Sequence, residues 1–112
     1  MSIINGATCN GTTTTGCGNI PPTVSGGGPG PYDVSIDQNT HTVFVLNFAP
    51  SVTITNGVTC HAGHLSGCTR TPPTVQVGVG GGGLDVDSTT HTAHIANQFD
   101  SNVSMNGPTT CS

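Results

Sequence analysis

A segment of about fifty residues occurs twice in this chain, and the beginning of a third copy follows. Cys9, Cys60 and Cys111 stand 51 residues apart, and the same interval separates Cys17 from Cys68. A repeat of this size folds as a stacked or radial array of similar units, because one unit alone cannot bury its apolar face. The duplication therefore predicts an array of copies.

The frame of the repeat slips by one residue inside a copy. His41 and His91 are only 50 residues apart. We place the slip in the glycine-rich stretch at residues 24–34 and its match at residues 75–84, and we expect the frame to recover near Pro108. Glycine-rich connections tolerate such length changes better than strands do.

The composition excludes several classes of partner. The 112 residues include 17 Gly and 8 Pro, carry a net charge of −4, and contain one cation, Arg70. Nucleic acid is an unsuitable partner, because neutralising phosphates requires clustered Lys and Arg. We also expect no membrane insertion, since no run of about 18 apolar residues occurs.

Four of the five cysteines form matched pairs within the repeat. Cys9 and Cys17 in one copy correspond to Cys60 and Cys68 in the next. Such spacing predicts two local disulfides and an oxidising compartment. Cys111 has no partner, because the third copy stops one residue later.

Apolar residues within each copy alternate with polar ones in short runs bounded by Gly, Pro, Asn and Asp, which predicts strands and no helix. In the complete copy we predict strands at residues 32–36, 42–47, 52–55 and 74–77. Residues 37–40 have the composition of a tight turn, repeated at 87–90. Four antiparallel strands per copy are typical of a propeller blade. The predicted fold class is therefore all-β, with four-stranded antiparallel blades of a β-propeller that one chain leaves incomplete.

The segment from Asp37 to Asn47 carries a family resemblance. It reads as an aspartate, a short turn and the strand HTVFVLN, and residues 87–97 echo it. The pattern resembles the YVTN-type β-propeller repeat of secreted bacterial and archaeal proteins, with Phe44 and His94 where that family usually has Tyr. The resemblance implies a fold and an extracellular, cell-surface or secreted location, but little about chemistry.

Counted in blades, the chain holds about two and a quarter repeats. Residues 1–31 supply the third and fourth strands of a first blade, 32–81 a complete blade, and 82–112 the first to third strands of another. A ring of 4 to 8 blades cannot close from this number. Either the chain is a fragment of a longer protein, or identical chains join by strand completion, three or four in a ring, or more in an open filament. Residues 102–112 duplicate residues 2–9 and would compete for the same edge.

The histidines are the first candidates for chemistry. His61 and His64 stand in the second cysteine loop, where the other copy has Asn10 and Thr13, so the repeat does not require them. Their spacing suits Zn²⁺ or Cu²⁺, yet a structural site needs about four ligands and no third is apparent. A solvated loop is the simpler interpretation.

The other imidazoles have structural interpretations. His41 and His91 share a repeat position, which predicts a hydrogen bond in the first turn of each copy rather than metal ligation. His94 replaces Phe44, and we expect it to lie half buried between blades.

Among the carboxylates, Asp37 and Asp87 are expected to form turns. Asp85 would project from an innermost strand and is a candidate ligand-binding residue facing a channel. Serine, histidine and acid residues suggest no catalytic grouping by order or spacing, and no cofactor is implied.

We therefore expect an extracellular structural or adhesive module that is not an enzyme. The alternative is a propeller binding module that takes a small ligand or metal ion through its loops or channel. A lactonase of the kind sometimes found on seven-bladed propellers is a third possibility, disfavoured by two blades per chain and the lack of acid clusters.

Overall fold

The computed structural model describes residues 1–21, 23, 30–48, 51–69, 72–79 and 81–106. Within them the chain is all-β, with seven strands in two antiparallel sheets. Sheet 1 contains β1 (Pro31–Asp37), β2 (Thr42–Asn47), β3 (Ser51–Asn56) and β4 (Thr74–Gln76). Sheet 2 contains β5 (Gly81–Asp87), β6 (Thr92–Asn97) and β7 (Asn102–Asn106). Strand order follows chain order in both sheets, and the two sheets do not close into a ring.

The alternation of apolar residues located the strands of sheet 1 to within one residue at each end. The described residues contain no α-helix, in agreement with the prediction, and Ser66–Thr69 form a single 3-10 turn. This turn lies inside the loop between Cys60 and Cys68. A tight loop without alternating apolar residues carries no periodic signal for such a turn.

The first turn of each copy forms around an aspartate, as predicted. The Oδ1 atom of Asp37 accepts hydrogen bonds from the N–H groups two and three residues later, at 2.9 and 3.4 Å. Asp87 repeats both bonds at the same distances. The turn ends at His41 or His91, which adopt φ values of 55° and 56° in the left-handed region. Each histidine therefore has a backbone role that its repeat position already implied.

The two sheets pack face to face through the apolar side chains of alternate strand residues. Sheet 1 contributes Phe44, Leu46 and Val52, and sheet 2 contributes Ala93 and Ile95. All five are buried, and Leu46, Ala93 and Ile95 are fully so. Four partly buried side chains surround them: Ile54, Val77, Leu84 and Val86. The core therefore lies between consecutive copies of the repeat, because neither sheet has an opposing layer of its own.

The frame of the repeat recovers earlier than the sequence suggested. Asn47 pairs with Ser51, whereas Asn97 pairs with Asn102. The turn between β6 and β7 is thus one residue longer than the turn between β2 and β3. The frame returns to 51 residues there and not near Pro108, which lies outside the described residues. An additional residue is tolerated in a surface turn but would reverse every side chain in a strand.

Residues 2–25, predicted to form third and fourth strands, contain a single bridge between Ser2 and Thr23 in their described part. The bridge corresponds to the pair Thr53–Thr74 that joins β3 to β4. The positions that would lengthen it, 24 and 25, are outside the described residues.

Candidate functional site

The junction between the two copies contains a buried carboxylate and a half-buried imidazole. His91 Nδ1 lies 2.9 Å from Asp37 Oδ2, and the side chains are 34% and 1% exposed. Beside this contact, Asn39 donates its side-chain N–H to the carbonyl oxygen of Ser88 at 2.6 Å. Two neighbouring turns are thereby joined, one from each copy.

Local hydrogen bonds control the ionisation of this carboxylate. Burial raises the pKa of Asp37, but hydrogen bonds from His91 and from the N–H groups of Asn39 and Thr40 outweigh it, so the pKa lies below 3.8. Asp37 is therefore ionised at neutral pH. Its carboxylate uses Oδ1 for its own turn and Oδ2 for the next copy.

Asp87 has the same turn but a different surrounding. The N–H groups of Thr89 and Thr90 lower its pKa below 3.8, against a smaller opposing effect of burial and with a further lowering by nearby His94. Asp87 is exposed, and no histidine within the described residues bonds to it as His91 bonds to Asp37. Asp87 therefore occupies the carboxylate position of such a junction without a histidine partner in the described residues.

The expectation for the turn histidines was partly wrong. We expected each imidazole to bond within its own turn, yet His91 bonds to Asp37 of the preceding copy. His41 occupies the equivalent position in the first copy and is exposed. Stacking of the copies brings His91 to its partner, and the described part of the chain places no sheet in the equivalent position before His41.

His94 differs from the expectation because it is exposed rather than half buried. Its counterpart, Phe44, is 7% exposed because sheet 2 covers that face of sheet 1. The corresponding face of sheet 2 has no covering sheet in the described residues.

Asp85 lies on β5, the first strand of sheet 2, and is exposed. Its Oδ1 atom accepts a hydrogen bond from the neighbouring N–H of Val86 at 2.9 Å. The two sheets of the described residues do not close into a channel around it, so its role as a ligand-binding residue stays a prediction. The nearby Asp33 has a structural contact instead, because its Oδ2 accepts the N–H of Leu84 across the junction at 3.0 Å.

The two cysteine loops have the same fold. Disulfides join Cys9 to Cys17 and Cys60 to Cys68, with Cα atoms 4.9 and 4.8 Å apart, which is the pairing that the spacing predicts. In each loop the carbonyl of Asn5 or Asn56 accepts the N–H groups three and four residues later. The two disulfides indicate an oxidising environment. Cys111 lies outside the described residues.

His61 and His64 are close together in the second loop. Their backbones exchange two hydrogen bonds of 3.0 Å, and the ring centroids are 6.0 Å apart. The Nδ1 atom of His61 accepts the N–H of Gly63 at 3.1 Å, which leaves the proton of a neutral ring on Nε2. His64 Nε2 lies 2.8 Å from the hydroxyl of Ser66.

A metal at this pair would have to displace one of these bonds, because a neutral imidazole that already accepts a hydrogen bond has no second lone pair. No group of three or more His, Cys, Asp or Glu side chains is positioned for a metal in the described residues. Metal binding by the pair stays a prediction.

Two buried asparagines were not singled out from the sequence. Asn47 donates to Ser51 Oγ and Thr53 Oγ1, at 3.2 and 2.8 Å, and Asn97 makes the equivalent pair of bonds in sheet 2. Both side chains are at least 98% buried. Their recurrence at the end of HTVFVLN and HTAHIAN was the available signal. They fix the second strand of each copy to the third.

The comparisons identify no family. No protein-family model matches the chain, and neither a curated protein nor a solved structure is significantly similar to it. No helix among the described residues is long and apolar enough to cross a membrane.

Proposed function

We propose that the chain is an extracellular structural or adhesive repeat module, built from YVTN-type β-propeller blades, that assembles with identical chains by strand completion. One observation carries the proposal: two copies of one repeat differ in how many strands they hold. Sheet 1 has four strands, while sheet 2 has three in the described residues. Residues 1–23 hold the pair Ser2–Thr23, which corresponds to the third and fourth strands of a sheet.

Strand completion makes a specific contact. Residues 1–6 correspond to 52–57, so in a neighbouring chain they would pair with β6 as β3 pairs with β2. Gly6 would then meet the carbonyl of His91 in that neighbour, because Gly57 donates its N–H to the carbonyl of His41 at 2.7 Å. A ring of six or eight blades results from three or four chains, and a non-closing contact gives a filament.

β7 already occupies the third position on sheet 2. A neighbour must therefore displace Asn102–Asn106 before its own residues 1–4 can pair with β6. Because β7 competes for β6, we expect the wild-type chain to assemble more weakly than a chain in which the edge of β6 is unpaired.

An extracellular location is supported by the two disulfides, which persist in oxidising environments. The resemblance to secreted repeats points the same way. A structural role needs no reacting group, and we assign the chain no enzymatic activity.

The test measures native mass by light scattering behind a sizing column, on oxidised chain with Cys111 alkylated. A Cβ at Gly57 would lie 2.5 Å from the carbonyl oxygen of His41, whereas a Cβ at Gly6 meets nothing within 4 Å. Gly6→Ala should therefore leave the monomer as stable as the wild type but weaken assembly by about fivefold to 150-fold, since such overpacking costs about 1–3 kcal/mol. Gly57→Ala, at the equivalent position, is the matched control and should destabilise the monomer itself.

Two deletions complete the test. Cutting the tail after Gln98 removes β7 and should leave assembly intact or strengthen it. Removing the residues before Val24 should abolish assembly. Assembly that survives the amino-terminal deletion, or that ignores Gly6→Ala, contradicts strand completion, and a monomer at every concentration would mean that these repeats serve within a longer chain.

The alternative function is a binding module for a metal ion or small ligand. It is favoured by the His61–His64 pair, which a disulfide loop holds with ring centroids 6.0 Å apart. Calorimetric titration with Zn²⁺ and Cu²⁺ tests it. The matched control is His61→Asn with His64→Thr, which restores the residues of the other loop, and binding that persists in this variant would exclude the pair as ligands.

A further inference from the structure

The two sheets contact each other through one face of each sheet. The residue positions that form each contacting face recur in the other copy, where they lie on an outer face of the chain. In sheet 1, the face that packs on sheet 2 carries Asp37 with apolar residues of β2 and β3. The register places the same strand positions on one face of sheet 2, here called the front face. Its side chains include Asp85, Asp87, His94, Ala96, Val103 and Met105.

The complementary half is repeated on sheet 1. Sheet 2 receives sheet 1 on a face that includes Leu84, Val86 and Ala93, with His91 at its turn. The side chains at the same strand positions in the first copy form what is here called the rear face. They are Val34, Ile36, His41, Val43 and Val45.

Several side chains on the outer faces are far more exposed than their counterparts on the contacting faces. Leu84 and Val86 are partly buried against the core, whereas their counterparts Val34 and Ile36 are 52% and 53% exposed. On the other side, Val52 is 1% exposed and its counterpart Val103 is 57% exposed. On the rear face Val45, the counterpart of Ile95, is only 3% exposed, so the open part of that face lies along β1. Exposed apolar side chains are thus retained on both outer faces, and a second sheet covers neither in the described residues.

The polar groups are retained as well. Asp87 keeps the turn geometry of Asp37, with the same two hydrogen bonds to Oδ1, so Oδ2 points from an equivalent position. His41 keeps the left-handed backbone of His91, at φ 55° against 56°. The front face carries the carboxylates Asp85 and Asp87, while the rear face contains no carboxylate and offers the imidazole.

We propose that a second copy of this chain docks its rear face on the front face of the first, so that Asp87 of one chain accepts a hydrogen bond from His41 of the next. The proposal rests on the proposed assembly of identical chains, but it concerns packing of sheet faces, where strand completion concerns sheet edges. The occupant is a second copy because the chain already contains this junction once, between its own sheets. The contact is head to tail, and each chain keeps one free face after docking.

Ile36→Lys tests the apolar part of the contact. Introducing an ammonium group into a desolvated face should weaken association at least a hundredfold, since an unpaired buried charge is strongly unfavourable. Val58→Lys is the matched control, because Val58 is also β-branched and 56% exposed but is not among the side chains of either face. Association is measured by sedimentation equilibrium, and the unfolding curve of dilute protein shows that each variant still folds.

His41→Asn and Asp87→Asn test the polar part. Asparagine tolerates the left-handed backbone at position 41. Each variant should associate about tenfold more weakly than the wild type, because each loses a charge-assisted hydrogen bond. An equimolar mixture of the two should form one-to-one complexes of nearly wild-type affinity, since Asp87 of one variant still meets His41 of the other.

The outcomes separate this proposal from strand completion. Loss of association in Ile36→Lys, with retention in Gly6→Ala, would support face docking and contradict strand completion. Unchanged association in Ile36→Lys, with weakening in Gly6→Ala, would overturn face docking alone. A wild-type chain that stays monomeric at all concentrations would overturn both.

Discussion

Leu46→Ala is the most direct test of packing between the two sheets. Leu46 is fully buried in the cluster that joins them. Removing three carbon atoms costs about 2.4 kcal/mol at roughly 0.8 kcal/mol each. A residual cavity adds to this, so we expect a loss of about 3 kcal/mol within the range of roughly 2–5 kcal/mol seen for buried leucines. The assay is urea unfolding of dilute, oxidised chain with Cys111 alkylated.

The repeat supplies a matched control for this change. Ala96 occupies the same strand position in sheet 2 but is exposed, so Ala96→Leu should change the free energy of unfolding by no more than about 0.5 kcal/mol. Ile95→Ala removes a fully buried side chain from the opposing sheet. The double variant with Leu46→Ala should show a coupling energy of roughly 0.5 kcal/mol or more, because the two residues share one core. A loss below about 1 kcal/mol for Leu46→Ala, or no coupling with Ile95→Ala, would refute the face-to-face packing of the sheets.

Three further predictions follow from the local structure. Replacing Cys60 and Cys68 with Ala opens a loop of about 9 residues and should lower the free energy of unfolding by roughly 2.6 kcal/mol, whereas no loss would mean that the loop is equally ordered when reduced. The folded-state pKa of Asp37 is below its ordinary value of 3.8, so its contribution to stability is present above 3.8 and is lost as the pH falls through the folded value. Melting temperatures between about pH 2 and pH 6 should therefore fall less steeply on acidification in Asp37→Asn than in the wild type, and parallel curves would contradict this assignment. Asn47→Ala leaves the buried Ser51 and Thr53 hydroxyls without this donor and should cost about 1–3 kcal/mol in urea unfolding, and a neutral effect would remove the bridging role.

The sequence located the strands and turns of sheet 1 because both depend on neighbouring residues. Alternation marked β2 at its observed ends, and the aspartates at positions 37 and 87 marked the turns. The disulfide partners were also local. Each of these features can be recognised within a dozen residues.

Features that depend on distant parts of the chain were not predictable in this way. The partner of His91 lies 54 residues away, and only the stacking of the sheets brings it to Asp37. The exposure of His94 likewise depends on whether another sheet covers it. The buried role of the asparagine in HTVFVLN required the third strand to be placed beside the second. The repeat pattern predicts the strands and turns within one copy. Contacts between copies can be identified only when the copies are placed in three dimensions.

The two carboxylate oxygens of Asp37 accept hydrogen bonds from different copies of the repeat. One closes the hairpin of its own copy, and the other holds the imidazole of the following copy. In a linear array, stability is the sum of the intrinsic stability of each unit and the coupling between neighbouring units. Asp37 contributes to both of these free energies. An unfolded turn therefore withdraws the acceptor from the adjacent unit, so fraying should spread cooperatively from copy to copy. Concatenated versions of this repeat should consequently unfold as one block, and their cooperativity should rise with every copy added.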